Sequence, residues 1–94
     1  MIVLNVYYYT KPGKRQEFLD EIKKIGADRL SREEEGNIRY DYFYSEKDEN
    51  ELLLVEHWEN AEVLDAHHFR EHFVKLQDIK AEYVDDIKID RFEI

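Results

Sequence analysis

The pattern of apolar and polar positions predicts four β-strands along the chain. Residues 2–9 are apolar or aromatic at every position except Asn5, which is typical of a strand buried on both faces. Residues 37–45 alternate in period two, and residues 51–59 follow them after a short acidic segment, so we expect a hairpin there. Residues 86–94 alternate again and indicate a final strand.

A first helix is predicted between the first and second strands. Phe18, Ile22 and Ile25 recur at the i, i+4, i+7 spacing of one buried helix face. We expect this helix to begin at Lys14 and to end within residues 30–36, where a glycine gives the backbone the freedom to turn.

A second helical segment, residues 60–85, is predicted to begin at Asn60, a good N-cap residue, and to break part-way along. In an unbroken helix His67 would point away from the apolar stripe of the segment. A break near residues 69–71 instead lets His67 and His72 both face the interior. We therefore predict the break and two inward imidazoles.

The order of these elements is β-α-β-β-α-β, the order of the ferredoxin-like α+β fold. Neither a linker nor a repeat interrupts the chain, so we expect one domain over residues 1–94. A domain this small buries a modest fraction of its surface, and the chain has no cysteine that could form a disulfide. Because it is rich in aromatic residues, with seven Tyr, five Phe and one Trp, we expect it to be stabilised by oligomerisation through an apolar surface.

The formal charge of −9, spread along the whole chain, argues against nucleic acids and anionic membrane surfaces as partners. Such a charge repels nucleic-acid phosphates and anionic lipids, so we expect neither nucleic acid nor a membrane as a partner. The apolar residues 2–6 are too few to span a membrane, and they lack the basic start of a signal peptide. We therefore expect a cytoplasmic protein.

Several short motifs follow one another in an order that is informative as a whole. They are K-P-G-K at residues 11–14, E-G-x-x-x-Y at residues 35–40, E-x-W at residues 56–58, then Leu64, His67 and the pair His72-Phe73. Together they resemble the antibiotic biosynthesis monooxygenase superfamily over nearly the whole chain. One departure is Glu71, because many relatives carry proline before the second histidine.

The resemblance implies a homodimeric α/β barrel in which two four-stranded sheets pack face to face. Each subunit then holds a pocket between its own sheet and its helices. Some branches of the superfamily oxidise quinols or polyketide aromatics without a metal or an organic cofactor. Others degrade haem or process a quorum-sensing signal by isomerisation, so the fold alone does not determine the reaction.

Three residues are candidates for a catalytic role. His67 and His72 match the histidine positions of the superfamily, and histidine is a suitable base because its pKa is normally near neutrality. Both could instead be packing residues with satisfied ring nitrogens. Asn5 is polar in an apolar strand, so its amide binds either neighbouring backbone groups or a substrate oxygen.

Five further residues are candidates for binding the substrate. Trp58 and Glu56 are two residues apart and project from one face of a strand. Glu56 is either a buried carboxylate with a raised pKa or an ion-pair partner of Arg39 on the adjoining strand, and the ion pair is the favoured interpretation. Tyr40 and Phe73 are expected to line the pocket or, for the tyrosine, the dimer interface.

A metal site is not expected from the sequence. His68 and His72 have the i, i+4 spacing of helical ligands, but no third ligand follows at a diagnostic spacing, and we interpret His57 and His68 as surface residues. Haem is not expected either, because Gln77 occupies the position where haem-degrading relatives carry the axial histidine.

The leading hypothesis is a cofactor-independent monooxygenase that uses dioxygen on a small aromatic or quinol-like substrate. His67 would act as the base, and Asn5 and His72 would orient substrate oxygens. The first alternative is an isomerase or degradative enzyme for a small carbonyl quorum-sensing signal, with Arg39 as an anchor if that substrate is phosphorylated. The second alternative is a barrel that binds a small ligand without catalysis.

Overall fold

A computed structural model describes all residues from 1 to 94. The elements, in chain order, are β1 (Ile2–Thr10), α1 (Arg15–Lys24), α2 (Ala27–Arg32), β2 (Asn37–Tyr44), β3 (Glu51–Trp58), α3 (Ala61–His67), α4 (Glu71–Tyr83) and β4 (Val84–Glu93). The four strands form one sheet in the order β2-β3-β1-β4, and every neighbouring pair is antiparallel. This arrangement confirms the ferredoxin-like α+β fold.

The two faces of the sheet differ because side chains alternate along each strand. In β1 the even-numbered residues are buried, and the odd-numbered ones are half-buried. The even-numbered side chains pack under the helices, as the contact of the Tyr8 ring with the Phe18 ring of α1 shows, with centroids 5.2 Å apart. The opposite face, which carries Asn5, Val55 and Asp90 at one level of the register, is not covered by helices and is called the open face below.

The first predicted helix is in fact two. Gly26 has a φ of 72°, which lies in the left-handed region that glycine tolerates best. The chain therefore turns between α1 and α2, where a single helix was expected. The turn lets Ala27 and Ser31 of α2 become buried, and α2 then leads directly into the loop before β2.

The predicted break in the second helical segment is confirmed. α3 ends at His67, and α4 begins at Glu71, although this chain has no proline at the break. Arg70 has an extended backbone, with φ −68° and ψ 143°, which interrupts the helical hydrogen bonding. His67 is 2% exposed, so the break does turn this imidazole inward.

No helix of this structure is both long enough and apolar enough to cross a membrane. The cytoplasmic location expected from the sequence stays a prediction.

Gly36 offers a direct test of how tightly the loop before β2 packs on α3. Its φ is +84°, and a Cβ added there would lie 2.7 Å from both methyl carbons of Val63, whereas Gly13 has a similar φ with no atom within 4 Å. We expect Gly13→Ala to lower the free energy of unfolding by about 1–2 kcal/mol for the left-handed backbone. Gly36→Ala should cost a further ~1–3 kcal/mol for the overpacking.

Urea unfolding of both variants measures this difference. Adding Val63→Ala to the Gly36→Ala chain should recover part of the loss, so that the two changes are not additive. Equal losses at the two glycines would show that the contact with Val63 is unimportant.

Candidate active site

A cavity of about 120 Å³ lies between the sheet and the broken helix. Most of its walls are apolar or aromatic, from Leu4, Val6, Tyr8, Tyr40, Phe73, Leu76, Ile87 and Ile89. Its polar side chains are Glu56, His67, His68 and Lys80. Apolar walls with a few converging polar groups are typical of a small-molecule site, although this cavity is smaller than most such sites.

The imidazole of His67 is held by a buried carboxylate. Glu34 lies in the loop between α2 and β2, and its Oε2 is 2.5 Å from Nδ1 of His67 and 2.8 Å from Nε2 of His72. A carboxylate only accepts hydrogen bonds, so both ring nitrogens donate to it. Nε2 of His67 is then the unprotonated nitrogen, free to accept a proton, on a ring that lines the cavity.

The surroundings of His67 favour its neutral form. The rings of Trp58 and Phe73 lie with their centroids 4.8 and 5.1 Å from the imidazole. Burial lowers the pKa of His67, and this effect outweighs the opposing effect of the Glu34 carboxylate. At neutral pH the imidazole of His67 is therefore mainly uncharged and can act as a base.

Glu56 is the second titratable group in the cavity. Its side chain projects from β3, the residue is 6% exposed, and Trp58 Nε1 donates to its Oε1 at 3.0 Å. Burial raises the pKa of Glu56 to about 7, against the opposing effects of the Trp58 hydrogen bond and of Lys80. The buried carboxyl with a raised pKa is thus the interpretation that the structure supports.

The favoured ion pair between Glu56 and Arg39 was wrong. β2 and β3 pair so that Tyr40 lies opposite Glu56, and Arg39 lies opposite His57. Since successive side chains alternate between faces, Arg39 is on the open face. Its guanidinium donates to Asp41 Oδ2 at 2.9 Å instead, so Arg39 is not part of this cavity.

The structure brings together only some of the predicted site residues. His67, Glu56, Tyr40 and Phe73 all line the cavity. Asn5 does not, because it is an odd-numbered residue of β1 and faces the open side, opposite Val55 and Asp90. The structure therefore does not bring Asn5 to the cavity of its own subunit, and a catalytic role for Asn5 stays a prediction.

The remaining two predicted residues lie behind the cavity wall. Trp58 is fully buried, contacts His67 and donates to Glu56, so it supports the walls without forming one. His72 bonds to Glu34 and does not line the cavity, so in this structure it positions that carboxylate. His68, interpreted from the sequence as a surface residue, is exposed but lies at the cavity.

Glu34, His67 and His72 are also residue types that ligate metals, and their ligand atoms lie within 4.8 Å of one another. Both nitrogens are, however, at hydrogen-bond distance from the same oxygen. Two ligand atoms on one tetrahedral zinc ion are about 3.4 Å apart, so an ion would have to separate this cluster. Arg70, whose Nε is 3.4 Å from Glu34 Oε1, already supplies positive charge at the carboxylate.

Comparison with known proteins assigns the chain to a family. The family model described as antibiotic biosynthesis monooxygenase matches residues 1–79. The chain belongs to the antibiotic biosynthesis monooxygenase family. The cavity, the broken helix and the two imidazoles are therefore features of a member of that family.

Individual relatives agree with this membership. The Bacillus subtilis (strain 168) protein named "Putative monooxygenase YcnE" is 40% identical over 73 residues, which are 78% of this chain and 75% of that protein. The structure named "Putative antibiotic biosynthesis monooxygenase from Nitrosomonas europaea" has a TM-score of 0.88 at 25% identity and covers 100% of this chain and 98% of its own. A Bacteroides thetaiotaomicron protein of unknown function, titled a possible oxidoreductase, has a TM-score of 0.86 at 33% identity over 99% of this chain and 96% of its own.

Sequence reasoning missed two residues of this family member's site. Glu34 is one of three consecutive glutamates, and the sequence pattern does not show which of them is buried. Lys80 lies at the cavity with Phe73 and Leu76. The sequence did contain a signal for it: Phe73, Leu76 and Lys80 are spaced i, i+3 and i+7, which places all three side chains on one face of α4.

The raised pKa of Glu56 predicts how stability depends on pH. The unfolded chain releases this proton near the ordinary value of 4.5, and the folded chain keeps it until about pH 7. Above pH 4.5 the unfolded state therefore binds fewer protons, and the free energy of unfolding falls as the pH rises to 7. Glu56→Gln should remove this loss, which amounts to about 3 kcal/mol at most.

Urea unfolding at intervals from pH 4.5 to pH 8 measures the difference between the variant and the parent chain. Taking the difference removes the opposite trend from His67, whose lowered pKa makes stability fall as the pH drops below its ordinary value. Glu46→Gln, at an exposed loop position, is the matched control. A difference for Glu56→Gln that stays constant with pH would contradict the assignment.

Proposed function

We propose that this chain is a cofactor-independent monooxygenase for a small aromatic or quinol-like substrate, with His67 as its general base. The observation that supports this most is the hydrogen bond from His67 Nδ1 to the buried Glu34 carboxylate. That bond holds the tautomer whose Nε2 can accept a proton, on a ring that borders an apolar cavity. A base oriented by a carboxylate in this way is a recurring catalytic arrangement.

The proposed reaction begins with removal of a phenolic proton. His67 Nε2 takes the proton, and Glu34 stabilises the imidazolium that results. The substrate anion is electron-rich and reacts with dioxygen, for which the apolar walls exclude water. For a hydroquinone the products are a hydroxyquinone and water: one oxygen atom enters the ring, the other leaves as water, and the substrate supplies all four electrons.

The size of the cavity limits the substrate. A cavity of about 150 Å³ is known to admit benzene, and this one has about 120 Å³. We therefore propose a substrate with a single ring, which enters with a small outward movement of His68 and Phe73. Fused-ring polyketides are too large for the cavity in this form.

Neither alternative has an equal observation in its favour. A phosphorylated carbonyl signal needs a basic anchor, and Arg39, its candidate, is engaged by Asp41 on the open face. A barrel that binds a ligand without catalysis does not require an imidazole held by a buried carboxylate. It is the outcome to accept if the cavity binds small aromatics and never consumes oxygen.

We also propose that two copies pair through their open faces. Phe43 and Phe92 are 42% and 50% exposed there, and central residues of the same face such as Leu53 and Val55 are only half-buried. An exposed apolar sheet face of this kind is typical of an interface. Homodimers are also expected from family resemblance, and the pairing would bury Asn5 at the interface.

Oxygen consumption tests the proposed base. The purified, metal-free protein should take up oxygen with at least one member of a panel of substituted hydroquinones. His67→Ala should lower kcat by about 10²- to 10⁴-fold because the proton acceptor is lost. Glu34→Gln should lower it at least about tenfold because the carboxylate no longer orients the ring.

Glu35→Gln is the matched control, since Glu35 is the exposed neighbour of Glu34. It should retain the parent activity, and circular dichroism should show that all three variants are folded. Uptake that is absent throughout the panel, or equal in the parent chain and His67→Ala, would refute the proposal.

A charge on the open face tests the dimer. Val55→Glu places a carboxylate in the middle of that face and should reduce the mass in sedimentation equilibrium from twice that of the chain to that of one chain, because burying an unpaired charge is costly. Val74→Glu adds the same charge at a position of α4 that is 57% exposed, and it should leave the dimer intact. A parent chain that sediments as a monomer would overturn the proposed assembly.

A further inference from the structure

Lys80 brings an ammonium group into the apolar cavity. Its side chain comes from α4, and its Nζ lies 5.1 Å from the centre of the Phe73 ring and 5.5 Å from that of Tyr8. No carboxylate oxygen lies within 4.0 Å of this Nζ, in contrast to Lys75 on the same helix, which is 3.1 Å from Glu71. Two aromatic faces provide only partial compensation for a cation in such surroundings.

Glu56, the acidic group of the same cavity, does not neutralise Lys80 by contact. Its carboxyl is engaged by Trp58 Nε1, and its raised pKa leaves it partly protonated near neutral pH. Burial lowers the pKa of Lys80, and Glu56 opposes that effect only from a distance. The cavity therefore contains a cation that lacks a partner and an acid that can become neutral.

The chemistry of the cavity walls indicates which class of anion could pair with the Lys80 ammonium. A phosphate has several anionic oxygens that favour more than one charged donor, whereas the cavity offers one ammonium among mostly apolar side chains. A carboxylate on a single aromatic ring matches both features, because the ring contacts the walls and one anionic oxygen meets Nζ. The net charge of −9 also makes a multiply charged ligand unfavourable.

We propose that Lys80 is the binding subsite for the carboxylate of a small aromatic acid, whose ring occupies the apolar part of the cavity. Binding of such an acid does not require the reaction proposed above. The identification of the acid as the substrate does rest on that reaction, with a hydroxyl group on the ring directed to His67.

The test uses benzoate and benzamide, which have nearly the same shape and differ in charge. Titrations followed by nuclear magnetic resonance at pH 7.5 should show that the parent protein binds benzoate about 10- to 100-fold more tightly than benzamide, as expected for a charge-assisted hydrogen bond. Lys80→Met should abolish this preference. Lys75→Met, the matched control on the exposed side of α4, should retain it.

Two further variants separate charge from packing. Lys80→Gln keeps a polar side chain without the charge and should also lose the preference. Glu56→Gln removes the other acid of the cavity. It should raise the affinity for benzoate at least about twofold without raising the affinity for benzamide, since a charge of the same sign as the ligand has been removed.

An equal affinity for the two probes in the parent protein would overturn the subsite, and so would a preference that survives in both Lys80 variants. No binding of either probe up to about 10 mM, a concentration at which even weak ligands bind, would overturn it as well. These results are independent of turnover. Lys80-dependent binding of benzoate without oxygen uptake would support the subsite and reject the monooxygenase reaction. Oxygen uptake without a preference for benzoate over benzamide would reject the subsite and support the reaction.

Discussion

The structure around the cavity depends on one buried carboxylate. Glu34 joins three parts of the chain, because it lies before β2 and bonds to His67 at the end of α3 and to His72 in α4. Its side chain is 5% exposed, and a carboxylate at such a position is stable only if its oxygens are hydrogen-bonded or paired. The break between the two helices supplies those partners, since it brings both imidazoles to the same oxygen.

The same interaction explains why His67 has only one useful orientation. Removing one partner of a buried charged group is much more damaging than replacing the whole group by apolar residues. The cluster of Glu34, His67 and His72 therefore contributes little to the stability of the fold, but it fixes the tautomer of His67. Trp58 and Phe73 pack on the ring and restrict its movement.

Much of the fold could be predicted from the sequence because its signals are periodic. The strands, their order and the break before Glu71 follow from hydrophobic spacing, and so does the inward direction of His67. What periodicity does not give is the face on which a residue lies when both faces are apolar. In β1 this ambiguity leaves the face of Asn5 undetermined by the sequence. In β2 a bulge between Asn37 and Arg39 shifts the pairing register with β3, and no pattern in the sequence predicts this bulge.

A further consequence concerns the length of β1. Leu4, Val6 and Tyr8 line the cavity, and the residues between them form the outer side of the same strand. Deleting or inserting one residue just before Asn5 would exchange these two sets over the rest of the strand and place Asn5, Tyr7 and Tyr9 where the substrate is expected. Changes of two residues preserve the alternation, and an irregularity such as that between Tyr9 and Thr10 can absorb a single one. The cavity and the proposed dimer interface are therefore linked, because a one-residue shift of β1 changes the side chains on both faces of the sheet.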